Sequence, residues 1–92
     1  VQNRASASQC VMKIKIYSTP KCPYCVRAIE AATEIAEKDS SVEVIVLKRY
    51  DDFDDSIMRM IFPDAKTYPQ IIIDGHKIGG WAEFQEELRL SN

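Results

Sequence analysis

Polar and apolar residues alternate from Lys13 to Tyr17, with Ile14 and Ile16 on one face and Lys13 and Lys15 on the other, which is the period of a half-buried strand. Ser18-Thr19-Pro20 stops it, because Pro20 offers no N–H donor and pushes Thr19 toward extended backbone. The period then changes. From Tyr24 to about Lys38 the chain is rich in Ala, Glu, Ile and Lys, and Cys25, Ile29, Ala32 and Ala36 recur at helical spacing. Pro23 suits the first turn of that helix, where its missing N–H would have had no partner, so Cys22 falls at or just before the helix N-terminus. Asp39-Ser40-Ser41 ends the helix, and Val42 to Leu47 reads as a second, β-branched strand.

A strand, a helix and a strand of these lengths form a right-handed βαβ unit with parallel strands. Asp51, Asp52, Asp54 and Asp55 load acid before and into a second, short helix striped by Ile57, Met58, Ile61 and Phe62, which Pro63-Asp64 terminates. Gln70 to Ile73 and His76 to Ile78 flank Asp74-Gly75, a strong two-residue hairpin signal, so the third and fourth strands are antiparallel. Gly79-Gly80 breaks the pattern, and Trp81, Phe84 and Leu88 mark a third helix to about Leu90. The predicted order is βαβαββα.

Length confines this pattern to one domain, since 92 residues build a single core. The charge balance, 12 basic against 14 acidic residues, supplies neither a broad cationic face for nucleic acid nor a polybasic membrane anchor. No apolar run approaches the ~20 residues of a membrane helix. We therefore expect a soluble cytoplasmic monomer acting on a small molecule or a protein. Residues 1–11 are polar, lack an apolar core and precede Met12, and read as a disordered leader or cloning remnant outside the domain that spans 12–92; a trimmed targeting peptide is the alternative.

Three cysteines cannot all pair within one chain, and Cys22 and Cys25 are too close in sequence for a staple across a fold. Such a spacing in a βαβ context points to redox chemistry first and to half a metal site second. Thiolate is the nucleophile in disulfide exchange, so the attacking cysteine needs exposure and a lowered pKa. Cys22 faces the unpaired N–H groups of the first helix, beside Lys21, a setting in which thiols titrate at roughly 3.5 to 7.5 rather than about 8.5. Cys22 is thus the expected nucleophile, and Cys25, one turn further in, the resolving thiol. Cys10, Cys22, Cys25 and His76 would make a Cys₃His zinc set, but the predicted topology puts His76 at the opposite end of a strand, roughly 15 to 17 Å from the dithiol. We expect no metal, a surface turn position for His76 and a free tail thiol at Cys10. The Asp51 to Asp55 run needs no explanation beyond a helix's first turn and a solvated loop.

Cys22-Pro23-Tyr24-Cys25 followed by Val26-Arg27-Ala28, then Thr67-Tyr68-Pro69-Gln70, then Gly79-Gly80, resemble the glutaredoxins in order and spacing, from about Met12 to Leu90. The resemblance implies a thioredoxin-like α/β fold, with a four-stranded mixed sheet flanked by three helices and a cis peptide bond before Pro69. It also implies glutathione as reductant and co-substrate, with disulfide-containing proteins as partners, a ribonucleotide reductase among them. Glutathione carries two carboxylates, an amine and an extended backbone. On this resemblance Thr67, Tyr68 and Pro69 form the groove wall, with Tyr68 offering its backbone to the cysteinyl part. Tyr24 covers the dithiol edge-on, and Gly80, Trp81, Ala82 and Glu83 present the N-terminus of the third helix to a carboxylate.

Three positions depart from the family pattern. Ala82 and Glu83 stand where a hydroxyl residue and an aspartate are usual, and helix capping competes with ligand binding as the role of Glu83. Thr19 stands where a cation is common, leaving Lys21 as the nearest substitute, while Arg59 and Lys66 are candidates for the glycyl carboxylate and equally for plain surface charge. The expected activity is glutathione-dependent reduction of protein disulfides and glutathione mixed disulfides through Cys22 and Cys25. The rivals are a thioredoxin-like reductant served by a reductase and a carrier of a glutathione-ligated [2Fe–2S] cluster.

Overall fold

A computed structural model describes residues 12–91, so Cys10 and the leader assigned to 1–11 lie outside the described residues. The elements are β1 (Met12–Ser18), α1 (Pro23–Lys38), β2 (Val42–Lys48), α2 (Asp55–Ile61), β3 (Gln70–Ile73), β4 (His76–Gly79) and α3 (Trp81–Ser91). They form one four-stranded sheet in the order β2-β1-β3-β4. β1 runs parallel to β2 and antiparallel to β3, and β3 pairs antiparallel with β4. This is the mixed-sheet, three-helix architecture expected from the sequence.

Alternation on β1 and β3 divides the interior in two. Ile14 sits opposite Ile73 and Ile16 opposite Ile71, and these four side chains meet Ala28 and Ala32 of α1 and Phe84 of α3. Fully burying an isoleucine or phenylalanine contributes about 1.5–3 kcal/mol, so this layer fixes both helices against one face. Tyr17, one residue out of phase, turns to the other face, where its ring meets Phe53 and Phe62 edge-on at 5.1 and 5.3 Å and packs with Met58 of α2.

The second helix is less amphipathic than its sequence suggests. α2 has seven residues, Phe62 is its C-cap, and of the predicted stripe Ile57 is exposed while Met58 and Phe62 are buried. Two turns are too few to hold a whole apolar stripe against the sheet.

The β3–β4 turn uses two left-handed residues, Asp74 at φ 51° and Gly75 at φ 82°, a geometry that matches the twist of paired strands. Asp74 also binds β1, its backbone N–H donating to the Lys13 carbonyl at 2.9 Å and its Oδ1 accepting the Lys13 N–H at 2.8 Å. This end of the sheet, with His76, lies away from the Cys22 end. At the opposite end the Tyr68–Pro69 peptide bond is cis, placing the entry to β3 beside the start of α1.

Candidate active site

Local sequence explains the unequal environments of the two cysteines. Cys22 is the N-cap of α1 in extended conformation, with Pro23 in the first turn. Its Sγ accepts the Cys25 backbone N–H at 3.1 Å, filling the place usually taken by a serine or aspartate oxygen. A disulfide joins Cys22 to Cys25, whose Cα atoms are 5.2 Å apart. Cys22 is half-buried, while Cys25 is only 2 % exposed among the α1 residues that face the core. An N–H directed at Cys22 favours its thiolate over its thiol once the bond is reduced, as does the positive end of α1. Lys21 precedes it at φ 58°, a left-handed conformation uncommon for a side chain of this size.

The cis-Pro69 segment forms the next wall. The Tyr68 carbonyl oxygen is 3.7 Å from Cys22 Sγ. Beyond it opens a cleft of ≈ 550 Å³ between α1 and α3, which brings together Tyr24, Thr67, Tyr68, Gly80, Trp81, Ala82 and Glu83 of the predicted groove. Lys21 and Pro69 do not line it. Lys21 borders a separate slot on the dithiol, and Pro69 is fully buried, its carbonyl oxygen 3.4 Å from the point where a Cβ on Gly80 would stand.

Tyr24 is 54 % exposed and carries the Arg27 guanidinium over its ring at 5.6 Å. Trp81 takes both roles its sequence position allows, packing edge-on to Phe84 at 6.2 Å and lining the cleft. Glu83 folds back on its own helix, its Oε1 accepting the Gly80 N–H at 2.9 Å. Capping, the alternative weighed for this residue, is thus what its carboxylate does here.

Sequence reasoning missed Arg27 and Gln85 on the cleft wall and, above all, Arg49. Arg49 follows β2 and donates from Nε to Asp55 Oδ1 at 2.8 Å, with its second ion-pair contact at 2.7 Å. The guanidinium lies over the rings of Tyr50 and Tyr68, at 4.7 and 5.3 Å, and reaches Thr19 Oγ1 at 3.4 Å. Its bond to Asp55 holds its proton more tightly than usual. Burial raises the pKa of Tyr68, and the positive charge of Arg49 opposes that rise.

Arg49, Arg59 and Lys66 line a smaller cleft of ≈ 190 Å³ that shares Thr67 and Tyr68 with the larger one. The two clefts therefore meet at the segment before Pro69, with Arg49, Arg59, Lys66 and Asp55 on one side and Arg27 and Glu83 on the other. The only signal for Arg49 in the sequence was a cation ending a β-branched strand, which is too common to single out.

Three of the four acids in the run have structural partners. Asp54 caps α2 through the Ile57 N–H at 3.0 Å, Asp52 accepts the Lys48 N–H at 2.8 Å, and Asp55 holds Arg49. His76 is exposed at the far hairpin, and no group of three or more metal-ligating side chains occurs among the described residues.

Comparison with known proteins gives a family by sequence and a fold by structure. The glutaredoxin family model matches residues 14–78. A glutaredoxin of Vibrio cholerae is 33% identical over 76 residues, covering 80% of this chain and 87% of its own. Glutaredoxin 1 of Rickettsia bellii is 35% identical over 69 residues, covering 73% and 67%. Among solved structures, reduced Escherichia coli glutaredoxin superposes with a TM-score of 0.70 over 85% of this chain and 94% of its own, at 22% identity.

Proposed function

The chain belongs to the glutaredoxin family and is a thiol–disulfide oxidoreductase, and from that premise we propose that it draws its electrons from glutathione and reduces glutathione mixed disulfides and protein disulfides. The observation that carries this reading is the pair of clefts meeting at Tyr68, whose carbonyl is 3.7 Å from Cys22 Sγ. A tripeptide with a central cysteine and two charged arms fits such a site. Its cysteinyl backbone pairs with Tyr68, because Pro69 cannot extend the ladder, and its thiol meets Cys22. Its glycyl carboxylate lies toward Arg49, Arg59 and Lys66, and its γ-glutamyl end toward α3.

With a glutathione mixed disulfide, the Cys22 thiolate attacks the glutathione sulfur, and the former partner leaves as a thiolate. A second glutathione thiolate then attacks that sulfur, releasing oxidised glutathione and restoring the Cys22 thiolate. With a protein disulfide, Cys22 forms a mixed disulfide with one protein sulfur and the other leaves as thiolate. Cys25 then attacks Cys22, freeing the second protein thiolate and forming the Cys22–Cys25 disulfide, which two glutathiones reduce.

The test is a glutathione-coupled mixed-disulfide assay on wild type, Cys22→Ser and Cys25→Ser. Cys22→Ser is expected to be inactive and Cys25→Ser to retain activity on the mixed disulfide while losing it on protein disulfides. An active Cys22→Ser, or a wild type reduced by a flavin reductase and not by glutathione, overturns the reading.

A further inference from the structure

The dithiol borders a second space that the glutathione reading leaves unused. A slot of ≈ 350 Å³ opens between the start of α1 and the end of β2, with both Cys22 and Cys25 in its wall, whereas neither cysteine lines the α1–α3 cleft. Val26, 53 % exposed, and Ile29, half-buried, make its floor apolar. Lys21 and Lys48 stand around it with Asp51 as the one acid in its lining, while Arg49, which also borders it, is held by Asp55 and shared with the smaller cleft at Tyr68. The chain as a whole carries a net charge of −2, so this concentration of cations is local.

We propose that this slot seats the polypeptide flanking the attacked cysteine of a protein disulfide, with preference for an apolar residue beside that cysteine and a carboxylate next to it. The proposal rests on the reading of the Tyr68 clefts as the glutathione seat. Glutathione ends at its glycyl and γ-glutamyl groups and is accommodated by those clefts. A polypeptide continues past its cysteine in both directions and must lie over whatever surrounds Cys22. On the β2 side that surface combines the apolar Val26 and Ile29 with the cationic Lys21 and Lys48, which matches an apolar side chain with an acidic neighbour. The reaction is unchanged: Cys22 bonds one sulfur of the partner, the second sulfur leaves as thiolate, and the slot acts on how long the encounter lasts.

The test uses the full chain, pre-reduced and freed of glutathione, in single-turnover reactions. The substrates are two synthetic peptides, each closed by one internal disulfide, with Leu and Glu beside the attacked cysteine in one and Gly and Lys in the other. Wild type is expected to reduce the Leu–Glu peptide about fivefold faster at subsaturating concentration, the scale of one partly buried aliphatic side chain plus one surface ion pair. Val26→Gln, a neutral change on an exposed helical position, is expected to remove most of that preference. Lys48→Glu is expected to slow the Leu–Glu peptide and speed the Gly–Lys peptide, a reversal that general loss of stability would not produce.

Both variants are expected to reduce the mixed disulfide of glutathione with 2-mercaptoethanol within about twofold of wild type. Equal rates on both peptides for all three proteins overturn the proposal. So does an equal loss on the small mixed disulfide, which would give the slot to a second glutathione. A wild type that discriminates between the peptides yet ignores the glutathione mixed disulfide would sink the glutathione reading and leave the slot standing.

Discussion

Arg49 is pinned by Asp55, with its Nε 2.8 Å and its second contact 2.7 Å from one carboxylate oxygen, and so stands over the Tyr68 ring and within reach of Thr19. A guanidinium held at one edge and stacked on two rings keeps its other N–H groups directed, because little rotamer freedom remains to be lost when a ligand binds. In the proposed groove, Arg49→Ala is expected to raise the KM for glutathione about tenfold and change kcat by less than about threefold. Asp55→Asn should move KM in the same direction by a smaller factor, since the cation remains but is no longer fixed. Steady-state kinetics on a glutathione mixed disulfide decides this, and an unchanged KM in Arg49→Ala removes Arg49 from the groove.

Gly79 and Gly80 are adjacent but not equivalent. Gly79 has φ +122°, and a Cβ there would stand 3.0 Å from Glu83 Cγ, whereas a Cβ on Gly80 would meet nothing closer than 3.4 Å. Gly79→Ala is expected to cost roughly 1–3 kcal/mol and to displace Glu83 from the Gly80 N–H, altering glutathione affinity as well. Gly80→Ala should be milder on both counts. Urea denaturation and mixed-disulfide kinetics on the two variants test the contrast, which fails if Gly80→Ala proves the more damaging.

What was legible in the sequence was whatever depends on near neighbours. Ile14 and Ile16 declared their strand by period, Asp74-Gly75 declared its turn, and Pro23 placed Cys22 at a helix start. Arg49 was not legible, because its position is made by tertiary contact: Thr19 is 30 residues away and Tyr68 belongs to another loop. Ile57 misled for the opposite reason. It fits a helical stripe, but a seven-residue helix against one sheet face covers Met58 and leaves Ile57 in solvent. Glu83 sat between two readings because capping is decided by a side-chain rotamer, which spacing alone leaves open.

Asp54 ties α2 to its cap, accepting the Ile57 N–H at 3.0 Å and the Ser56 hydroxyl at 2.7 Å, and these bonds hold its carboxyl below the usual aspartate range. A group whose pKa is lowered by folding stabilises the fold above its unfolded pKa and loses that contribution as pH falls through the folded value. Asp54→Ala is therefore expected to melt below wild type at neutral pH, with the gap narrowing as pH falls past the ordinary aspartate range. Thermal melts from pH 7 down to pH 3 check this. A gap that is constant with pH would mean that the loss comes from packing and not from the charged cap.

Tyr17 allows ring and hydroxyl to be separated. Its ring is 7 % exposed and contacts Phe53 and Phe62 edge-on, while burial raises its pKa above the usual 10.0. Tyr17→Ala removes the centre of the α2-side core and is expected to cost about 3–5 kcal/mol. Tyr17→Phe keeps the aromatic pairs and should stay within about 1 kcal/mol of wild type at neutral pH. The alkaline limb gives the sharper comparison. Because the folded pKa is raised, the neutral hydroxyl's contribution is complete below pH 10 and declines as pH climbs toward the folded value, where the unfolded chain ionises and the folded one does not. Wild type should therefore lose stability as pH climbs above about 10, and Tyr17→Phe should lose less. Identical alkaline limbs in urea titrations of the two proteins would show that Tyr17 ionises as freely in the fold as outside it.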